Sequence, residues 1–280
     1  MTSERQPVDG WFIINNLNIH YLDWGGSSDK PLILLPGGAN SAHYWDTFAQ
    51  SVCNDYRVYA LDQRGRGDSD HAHKDGYALT ECISDIAEFV KALGLEKFDI
   101  CGQSLGGRHT IGYAGTYPET VKHAIISDIG PEMSQSGSKR ANTQLLSPPM
   151  AFRSEDEAIE YFRQIGPKYT LEQILHTIKY ELRVNWAGKL VFKRDIDVLW
   201  VTGSAGKKES PMVWELLSKM TCSTLVIRGA ESDILSPEIA ERMMSVLPNG
   251  KFVEIPNTGH PIPVEDPIAF EIEVRRFLES

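Results

Sequence analysis

Short apolar runs alternate with amphipathic stretches along most of the chain. The runs Pro31–Leu35 and Tyr56–Leu61 are typical of strands that are covered on both faces of a parallel sheet. Further strands are predicted at Phe98–Cys101, Val121–Ser127, Ser223–Ile227 and Phe252–Ile255, with a hairpin through Asn15-Asn16 ahead of them. Helical patterns lie at 42–51, 79–93, 105–116, 237–247 and 266–278. This order predicts an α/β fold with a mostly parallel sheet and helices on both faces.

Residues 131–219 interrupt the alternation and have helical patterns of their own. Two of these helices begin with capping-box sequences, at Ser154 and at Thr170. A helical insertion at the strand ends of an α/β sheet forms a lid over a site. We therefore predict a core domain from residues 1–130 and 220–280, with a helical lid inserted at 131–219.

Composition narrows the class of protein. The chain has 280 residues and a net charge of −10, and neither a basic run nor an apolar stretch long enough to cross a membrane occurs in it. Four scattered cysteines do not form a disulfide framework, so we expect a cytoplasmic protein that binds neither nucleic acid nor membrane. The lid carries 13 Lys and Arg against 11 Asp and Glu. Its charge of about +2 over a core of about −12 is consistent with an anionic substrate or with ordinary surface charge.

One pentapeptide carries the main sign of chemistry. Gly102-Gln-Ser-Leu-Gly106 follows the predicted strand that ends at Cys101 and leads into a helical pattern. In this setting G-x-S-x-G forms a nucleophile elbow, and a Cβ on either glycine would collide with a neighbouring strand or helix. Because a glycine-rich turn with an incidental serine fits the same residues, the prediction that Ser104 is a nucleophile depends on its partners.

A nucleophilic serine needs an adjacent base. His260 follows a predicted strand and is the last histidine in the chain, which fits the order serine, acid, histidine that accompanies an elbow serine. Two aspartates follow strands at the correct edge of the sheet and are alternatives for the acid, Asp128 and Asp233. His43 is expected only to line the pocket.

The oxyanion formed by such a serine needs two N–H donors. Leu105, the residue after the serine, is predicted to supply one, and Gly38 in the loop after the first buried strand to supply the other. The aromatic residues of the lid region line an apolar pocket or pack within the lid: Tyr161, Phe162, Tyr169, Tyr180, Trp186, Trp200 and Trp214. No pattern indicates a metal site or a cofactor, and the substrate-binding residues stay unassigned.

These motifs together resemble the α/β-hydrolase superfamily, over nearly the whole chain. The segments that carry the resemblance are Pro36-Gly-Gly38, Asp62-Gln-Arg-Gly-Arg-Gly-Asp-Ser69, Gly102-Gln-Ser-Leu-Gly106, Gly229-Ala-Glu-Ser-Asp233 and Gly259-His260. Pro36 stands where the family usually has histidine. Ser232 stands three residues after Gly229, where the family usually has its acid.

Some members of the superfamily carry the acid after the strand that follows the elbow, where this chain has Asp128. The sequence is similar to the subgroup of N-formylmaleamate deformylase and acetamidomethylene-succinate hydrolase, which also have an arginine after the elbow, here Arg108. The resemblance favours Asp128 over Asp233 and implies C–N hydrolysis of small acidic substrates. Arg108 is expected to point into the protein and to have a structural role.

The sequence therefore predicts a serine hydrolase that cleaves a small carboxylic ester or amide through an acyl-enzyme, without a cofactor. One alternative is a C–C bond hydrolase of the meta-cleavage type, and another is cofactor-independent chemistry such as perhydrolysis. A third is a signal receptor or regulatory protein that keeps the triad. The expected partner is a small-molecule substrate, and either a monomer or a homodimer is compatible with the sequence.

Overall fold

The computed structural model describes residues 5–26, 29–144, 148–198 and 206–280, except for the side chains of Lys74 and residues 140–144. Its strands are β1 (Val8–Ile14), β2 (Leu17–Asp23), β3 (Pro31–Leu35), β4 (Arg57–Leu61), β5 (Phe98–Gln103), β6 (Val121–Ser127), β7 (Leu182–Val184), β8 (Leu190–Phe192), β9 (Ser223–Gly229) and β10 (Gly250–Ile255). Its α-helices are α1 (Asp46–Val52), α2 (Leu79–Ala92), α3 (Leu105–Thr116), α4 (Gln135–Gln144), α5 (Glu155–Ile165), α6 (Leu171–Glu181), α7 (Gly206–Lys219), α8 (Pro237–Val246), α9 (Ile262–Glu265) and α10 (Pro267–Leu278).

In the described chain, eight strands form one sheet in the order β1-β2-β4-β3-β5-β6-β9-β10. Strand β2 pairs antiparallel with β1 and with β4, and every other neighbouring pair is parallel. Asn15 and Asn16 turn the β1–β2 hairpin with φ angles of 49° and 63°, the left-handed geometry that a two-residue hairpin turn requires. The mostly parallel sheet predicted from the sequence is confirmed.

The continuous apolar runs divide their side chains between the two faces of the sheet. In β3, Ile33 and Leu35 enter a core cluster with α2, α3, α7 and α8, whereas Leu32 and Leu34 enter a second cluster with α1 and α10. Successive side chains of a strand point to opposite faces, so a strand with helices on both sides is apolar at every position. Helices therefore cover both faces, as predicted.

The chain between β6 and β9 contains a separate small core. The helices α5 and α6 and the β7–β8 hairpin pack around buried Phe152, Phe162 and Ile178, and we call this part, residues 148–198, the cap. The helix α7 lies outside it, because Val213 and Leu217 are buried in the core beneath the sheet. By packing, the cap thus ends before α7 and not at residue 219. Among the described helices, none is long and apolar enough to cross a membrane.

Candidate active site

Ser104 stands at the turn between β5 and α3. Its φ of 54° and ψ of −122° are unfavourable for a residue with a side chain, and such strain costs on the order of 1–3 kcal/mol. The surrounding structure holds the turn, because the Ser104 N–H donates to the Ser127 carbonyl at 2.9 Å and the Ser104 carbonyl accepts from the Arg108 N–H at 3.1 Å. This is the geometry that the pentapeptide predicts.

Steric crowding explains why both outer positions of the pentapeptide are glycine. A Cβ added to Gly102 would overlap the carbonyl oxygen of Gly106, and a Cβ added to Gly106 would overlap the carbonyl oxygen of Leu35. The first overlap is with the start of the following helix and the second is with the neighbouring strand β3. Helix, turn and sheet can therefore approach this closely only with glycine at both positions.

His260 lies in the loop between β10 and α9 and faces Asp128. Its Nδ1 is 2.7 Å from Oδ2 of Asp128, which is wholly buried at the end of β6. The Asp128 backbone is also in the left-handed region, with φ of 51°. The Asp128 N–H donates to the Ile227 carbonyl at 2.8 Å, which ties the turn to β9.

Two donors besides His260 surround the Asp128 carboxylate. The Gly229 N–H donates to Oδ1 at 3.0 Å, and the Ser232 hydroxyl donates to Oδ2. Ser232 thus stands where the resemblance of the sequence leads us to expect an acid, and its hydroxyl contacts the Asp128 carboxylate instead. Asp233 is the next residue, and its backbone carbonyl accepts from the Ser134 hydroxyl. Because Asp128 already occupies Nδ1 of His260, the geometry favours Asp128 over Asp233.

Ser104 and His260 line the same cavity, and the side chain of Gln103 contacts His260. Nε2 of His260, the atom that would accept a proton from Ser104, lies 3.3 Å from the side-chain nitrogen of Gln103. The same amide donates to the His260 carbonyl at 3.3 Å. Among the described residues, no hydrogen bond joins Ser104 to His260; such bonds are often long without substrate and tighten in the complex. Sequence reasoning missed Gln103, which is at one of the two variable positions of the pentapeptide.

The loop that carries Gly38 is held by the segment after β4. The side chain of Gln63 donates to the Pro36 carbonyl at 2.9 Å, and the buried Arg66 donates through Nε to the Gly38 carbonyl at 3.2 Å. Fixing the carbonyl of Gly38 also fixes the orientation of this loop. Gly38 lines the cavity beside Ser104, and Leu105 is the first residue of α3, where the N–H groups have no partner within the helix.

The cavity has a volume of about 190 Å³ and lies between the cap and the strand ends. Tyr161, Phe162 and Tyr169 line it, so three of the seven aromatic candidates face the site. Tyr180 instead stacks on His43 with ring centroids 3.5 Å apart, in a neighbouring depression. The other candidates are Trp186, which is 98% exposed, Trp214, which lies under Arg242, and Trp200, which lies outside the described residues.

Two charged residues that sequence reasoning did not single out also line the cavity. Oε1 of Glu181 accepts from the Ser41 N–H at 2.7 Å and from its hydroxyl at 2.8 Å, while burial raises the pKa of Glu181 to about 7. Arg194 is 9% exposed, and burial lowers its pKa. In the sequence both residues look like ordinary surface charges, because only the folded cap brings them to the site.

Arg108 has the structural position that was expected. Its guanidinium donates to the Pro131 carbonyl at 2.8 Å and to the Gly206 carbonyl at 2.6 Å, and Glu209 lies 3.6 Å away. A second polar cluster, His20, Asp62 and Asp68, has ligand-type atoms close together. Asp62 accepts hydrogen bonds from the N–H groups of Ala42 and Asp68, and its Oδ2 lies 2.7 Å from Nδ1 of His20. These contacts hold the segment after β4 against the loop after β3.

Similarity to known proteins indicates the family of this chain. A family model described as the alpha/beta hydrolase fold matches residues 30–267. A relative from Cupriavidus necator, named 3-hydroxybutyrate-oligomer hydrolase, is 28% identical over 269 residues, which cover 92% of each chain. N-Formylmaleamate deformylase from Pseudomonas putida is 33% identical over 114 residues, which are 41% of this chain and 42% of that protein. The structure of E-2-(acetamidomethylene)succinate hydrolase matches 98% of this chain and 100% of its own with a TM-score of 0.90, at 18% identity.

The matched family model spans most of the chain and includes the elbow, Asp128 and His260. The chain therefore belongs to the alpha/beta hydrolase fold family, and the resemblance found in its sequence is confirmed. The protein is a hydrolase. At 18% identity the likeness to E-2-(acetamidomethylene)succinate hydrolase concerns the fold alone.

Proposed function

We propose that the protein hydrolyses small carboxylic esters through an acyl-enzyme on Ser104. The observation that carries the proposal is the strained Ser104 at the end of β5, which lines one cavity with His260, a histidine whose Nδ1 faces the buried Asp128. A serine hydroxyl is a weak nucleophile until a base removes its proton, and a histidine oriented by a carboxylate is such a base.

The reaction has two halves. Ser104 Oγ attacks the ester carbonyl as Nε2 of His260 takes its proton, and the Leu105 and Gly38 N–H groups stabilise the oxyanion. The ester C–O bond then breaks, the leaving alcohol takes the proton from His260, and the acyl group stays on Ser104. Water, deprotonated by His260, attacks the acyl-enzyme and releases the acid, and the proton returns to Ser104. In the first step, Gln103 gives up its contact with Nε2.

Asp128 has an orienting role in this scheme. Its contact with Nδ1 places the hydrogen of a neutral imidazole on that nitrogen and leaves Nε2 free to accept. Gly229 and Ser232 hold the carboxylate, so the imidazole keeps its direction through both halves.

An ester substrate is favoured over an amide by the relative that aligns over nearly its full length. The Cupriavidus necator protein is named as a hydrolase of an oligomer of a hydroxy acid, whose repeating bond is an ester. The Pseudomonas putida deformylase, which acts on a C–N bond, aligns over less than half of this chain. The first substrates to test are therefore p-nitrophenyl acetate and butyrate, followed by dimers of 3-hydroxybutyrate.

The test compares turnover by the wild type and by Ser104→Ala, with Ser218→Ala as the control because Ser218 is exposed on α7. We expect Ser104→Ala to lose several powers of ten in kcat and Ser218→Ala to match the wild type. Activity retained by a folded Ser104→Ala variant would refute the proposal. A stable stoichiometric adduct without turnover would indicate a receptor, and no reaction with any ester would favour C–C substrates.

A further inference from the structure

Arg194 is a cationic side chain in the wall of the cavity that contains Ser104. It follows β8 in the cap, and its guanidinium lies 3.9 Å from the centre of the Phe192 ring. Nη1 donates to the carbonyl of Ala39 at 3.3 Å, and the Tyr161 hydroxyl is a second polar neighbour. Arg194 therefore lies over the loop that also carries Gly38.

The charge of Arg194 has no direct ion-pair partner among the described residues. In the parts of the chain that the structure describes, no ion pair joins the Arg194 guanidinium to an aspartate or glutamate. Of the stretches outside the described residues (1–4, 27–28, 145–147 and 199–205), only the first contains an acidic residue, Glu4. A buried charge without a counter-charge is costly, and arginine keeps its proton at all ordinary pH values.

Among the described residues, Arg194 uses only part of its hydrogen-bonding capacity. A guanidinium has five N–H donors in a planar fork. Ala39 and Tyr161 account for two polar neighbours, and the exposed remainder of the side chain faces the cavity. The guanidinium carbon lies over the Phe192 ring, and a guanidinium edge can bind a carboxylate through two parallel hydrogen bonds.

Glu181 lies in the same wall of the cavity but forms no ion pair with Arg194 that could take the place of a bound carboxylate. Its Oε1 accepts both hydrogen bonds from Ser41, and it influences Arg194 only from a distance. Because the pKa of Glu181 is raised to about 7, a large fraction of these carboxyls is neutral at neutral pH. About half of the carboxyls are still ionised at pH 7, so Glu181 offsets only part of the charge of Arg194.

We propose that Arg194 binds a carboxylate of the substrate, so that the natural substrates are esters that carry a free carboxylate group. This inference rests on the proposed ester hydrolysis and specifies its substrate class. The apolar wall of Tyr161, Phe162 and Tyr169 would accept the carbon chain between the carboxylate and the ester.

The test measures selectivity between matched esters. p-Nitrophenyl pentanoate and mono-p-nitrophenyl glutarate have acyl chains of the same carbon number, and only the second carries a carboxylate. A third substrate, 3-acetoxybutanoate, carries its carboxylate on the alcohol side. We expect Arg194→Gln to lower the kcat/KM ratio of an anionic ester to the neutral ester by about 10- to 100-fold, as for loss of charge-assisted hydrogen bonds. The anionic ester that is affected identifies the side of the substrate that Arg194 binds.

Arg183→Gln is the matched control, because Arg183 is exposed on β7 and its loss removes the same charge from the cap. Arg183→Gln should leave the ratio of anionic-ester to neutral-ester kcat/KM unchanged. Arg194→Lys should retain part of the preference for the anionic ester. Equal losses of Arg194→Gln on neutral and anionic esters would show that Arg194 only supports the Ala39 loop and would overturn the proposal. An unchanged ratio for both anionic esters would overturn it as well.

A binding measurement separates this proposal from the proposed function. Titration calorimetry with glutarate and with 3-hydroxybutyrate needs no turnover. If the wild type hydrolyses no ester, the proposed function fails; binding of either acid that is lost in Arg194→Gln and kept in Arg183→Gln would still support the anion site. Failure of both acids to bind a wild type that hydrolyses neutral esters in preference to anionic ones would contradict it.

Discussion

Replacing Glu181 with glutamine should change how the stability of the protein depends on pH. Burial raises the pKa of this carboxyl from 4.5 to about 7, even though Ser41 donates two hydrogen bonds to it. Glutamine keeps an oxygen that can accept from Ser41 but has no acidic proton. The substitution therefore removes the titration while preserving the shape of the side chain.

The two pKa values determine the sign and the size of the effect. The folded state binds the Glu181 proton more tightly than the unfolded chain does, so this contribution to stability is fully present below pH 4.5 and is lost as the pH rises through about 7. A difference of about 2.5 pKa units corresponds to about 3 kcal/mol. Relative to the Glu181→Gln variant, the wild type should lose about 3 kcal/mol of unfolding free energy from low to mildly alkaline pH.

Urea unfolding followed by tryptophan fluorescence at a series of pH values measures this difference. Glu172→Gln is the control, because Glu172 is exposed in the first turn of the same helix, α6. Its curve of unfolding free energy against pH should run parallel to that of the wild type. A parallel curve for Glu181→Gln too would mean that the carboxyl titrates as it does in water, and would refute the account of this cavity wall.

Other substitutions test the acid, its support and the elbow. Asp128→Asn should lower kcat for p-nitrophenyl butyrate by about 10⁴-fold, because the amide no longer holds the imidazole tautomer that accepts the serine proton. Asp233→Asn should lower kcat by less than about tenfold, since Asp128 is the residue that contacts Nδ1 of His260. Ser232→Ala should lower kcat by about tenfold with little change in KM, because Asp128 loses a hydrogen bond. Gly106→Ala should lower the melting temperature far more than Gly94→Ala, because a Cβ at Gly106 overlaps backbone, whereas at Gly94 it meets nothing within 4 Å and only the φ of 68° is unfavourable for alanine.

Folding controls separate these effects. Circular dichroism and thermal melts should show that the Asp128, Asp233 and Ser232 variants are folded at the assay temperature. A larger kcat loss for Asp233→Asn than for Asp128→Asn would contradict the choice of acid. Similar melting temperatures for the Gly106 and Gly94 variants would contradict the steric explanation of the pentapeptide.

The strands and the elbow could be predicted because their causes are local in sequence. A strand with helices on both faces is apolar at every position, as Leu32 to Leu35 are, and the serine turn needs glycines two residues away on either side. The boundary of the cap could not be placed in this way. The helix α7 has an apolar face, but periodicity does not reveal that Leu217 packs under the sheet instead of within the cap.

The site was predictable to the extent that it depends on strand ends. His260 could be chosen by its order in the chain, but Asp128 and Asp233 both follow strands at the same edge, and only the folded loops show which one meets Nδ1. Glu181 and Arg194 could not be found, because the fold of the cap decides which of its charged side chains face inward. Gln103 was missed because an amide that contacts the catalytic histidine candidate has no pattern of its own in the sequence.

The most direct test of the central claim is to locate the acyl group on the protein. Wild-type protein is mixed with p-nitrophenyl butyrate, quenched with acid during the first turnovers and digested with trypsin. Cleavage after Lys97 and Arg108 yields a peptide in which Ser104 is the one hydroxyl side chain. We predict a butyryl group on Ser104 in that peptide, and none in the same peptide from Ser104→Ala. Butyryl on Cys101 or on another peptide, with undiminished turnover by Ser104→Ala, would contradict the account.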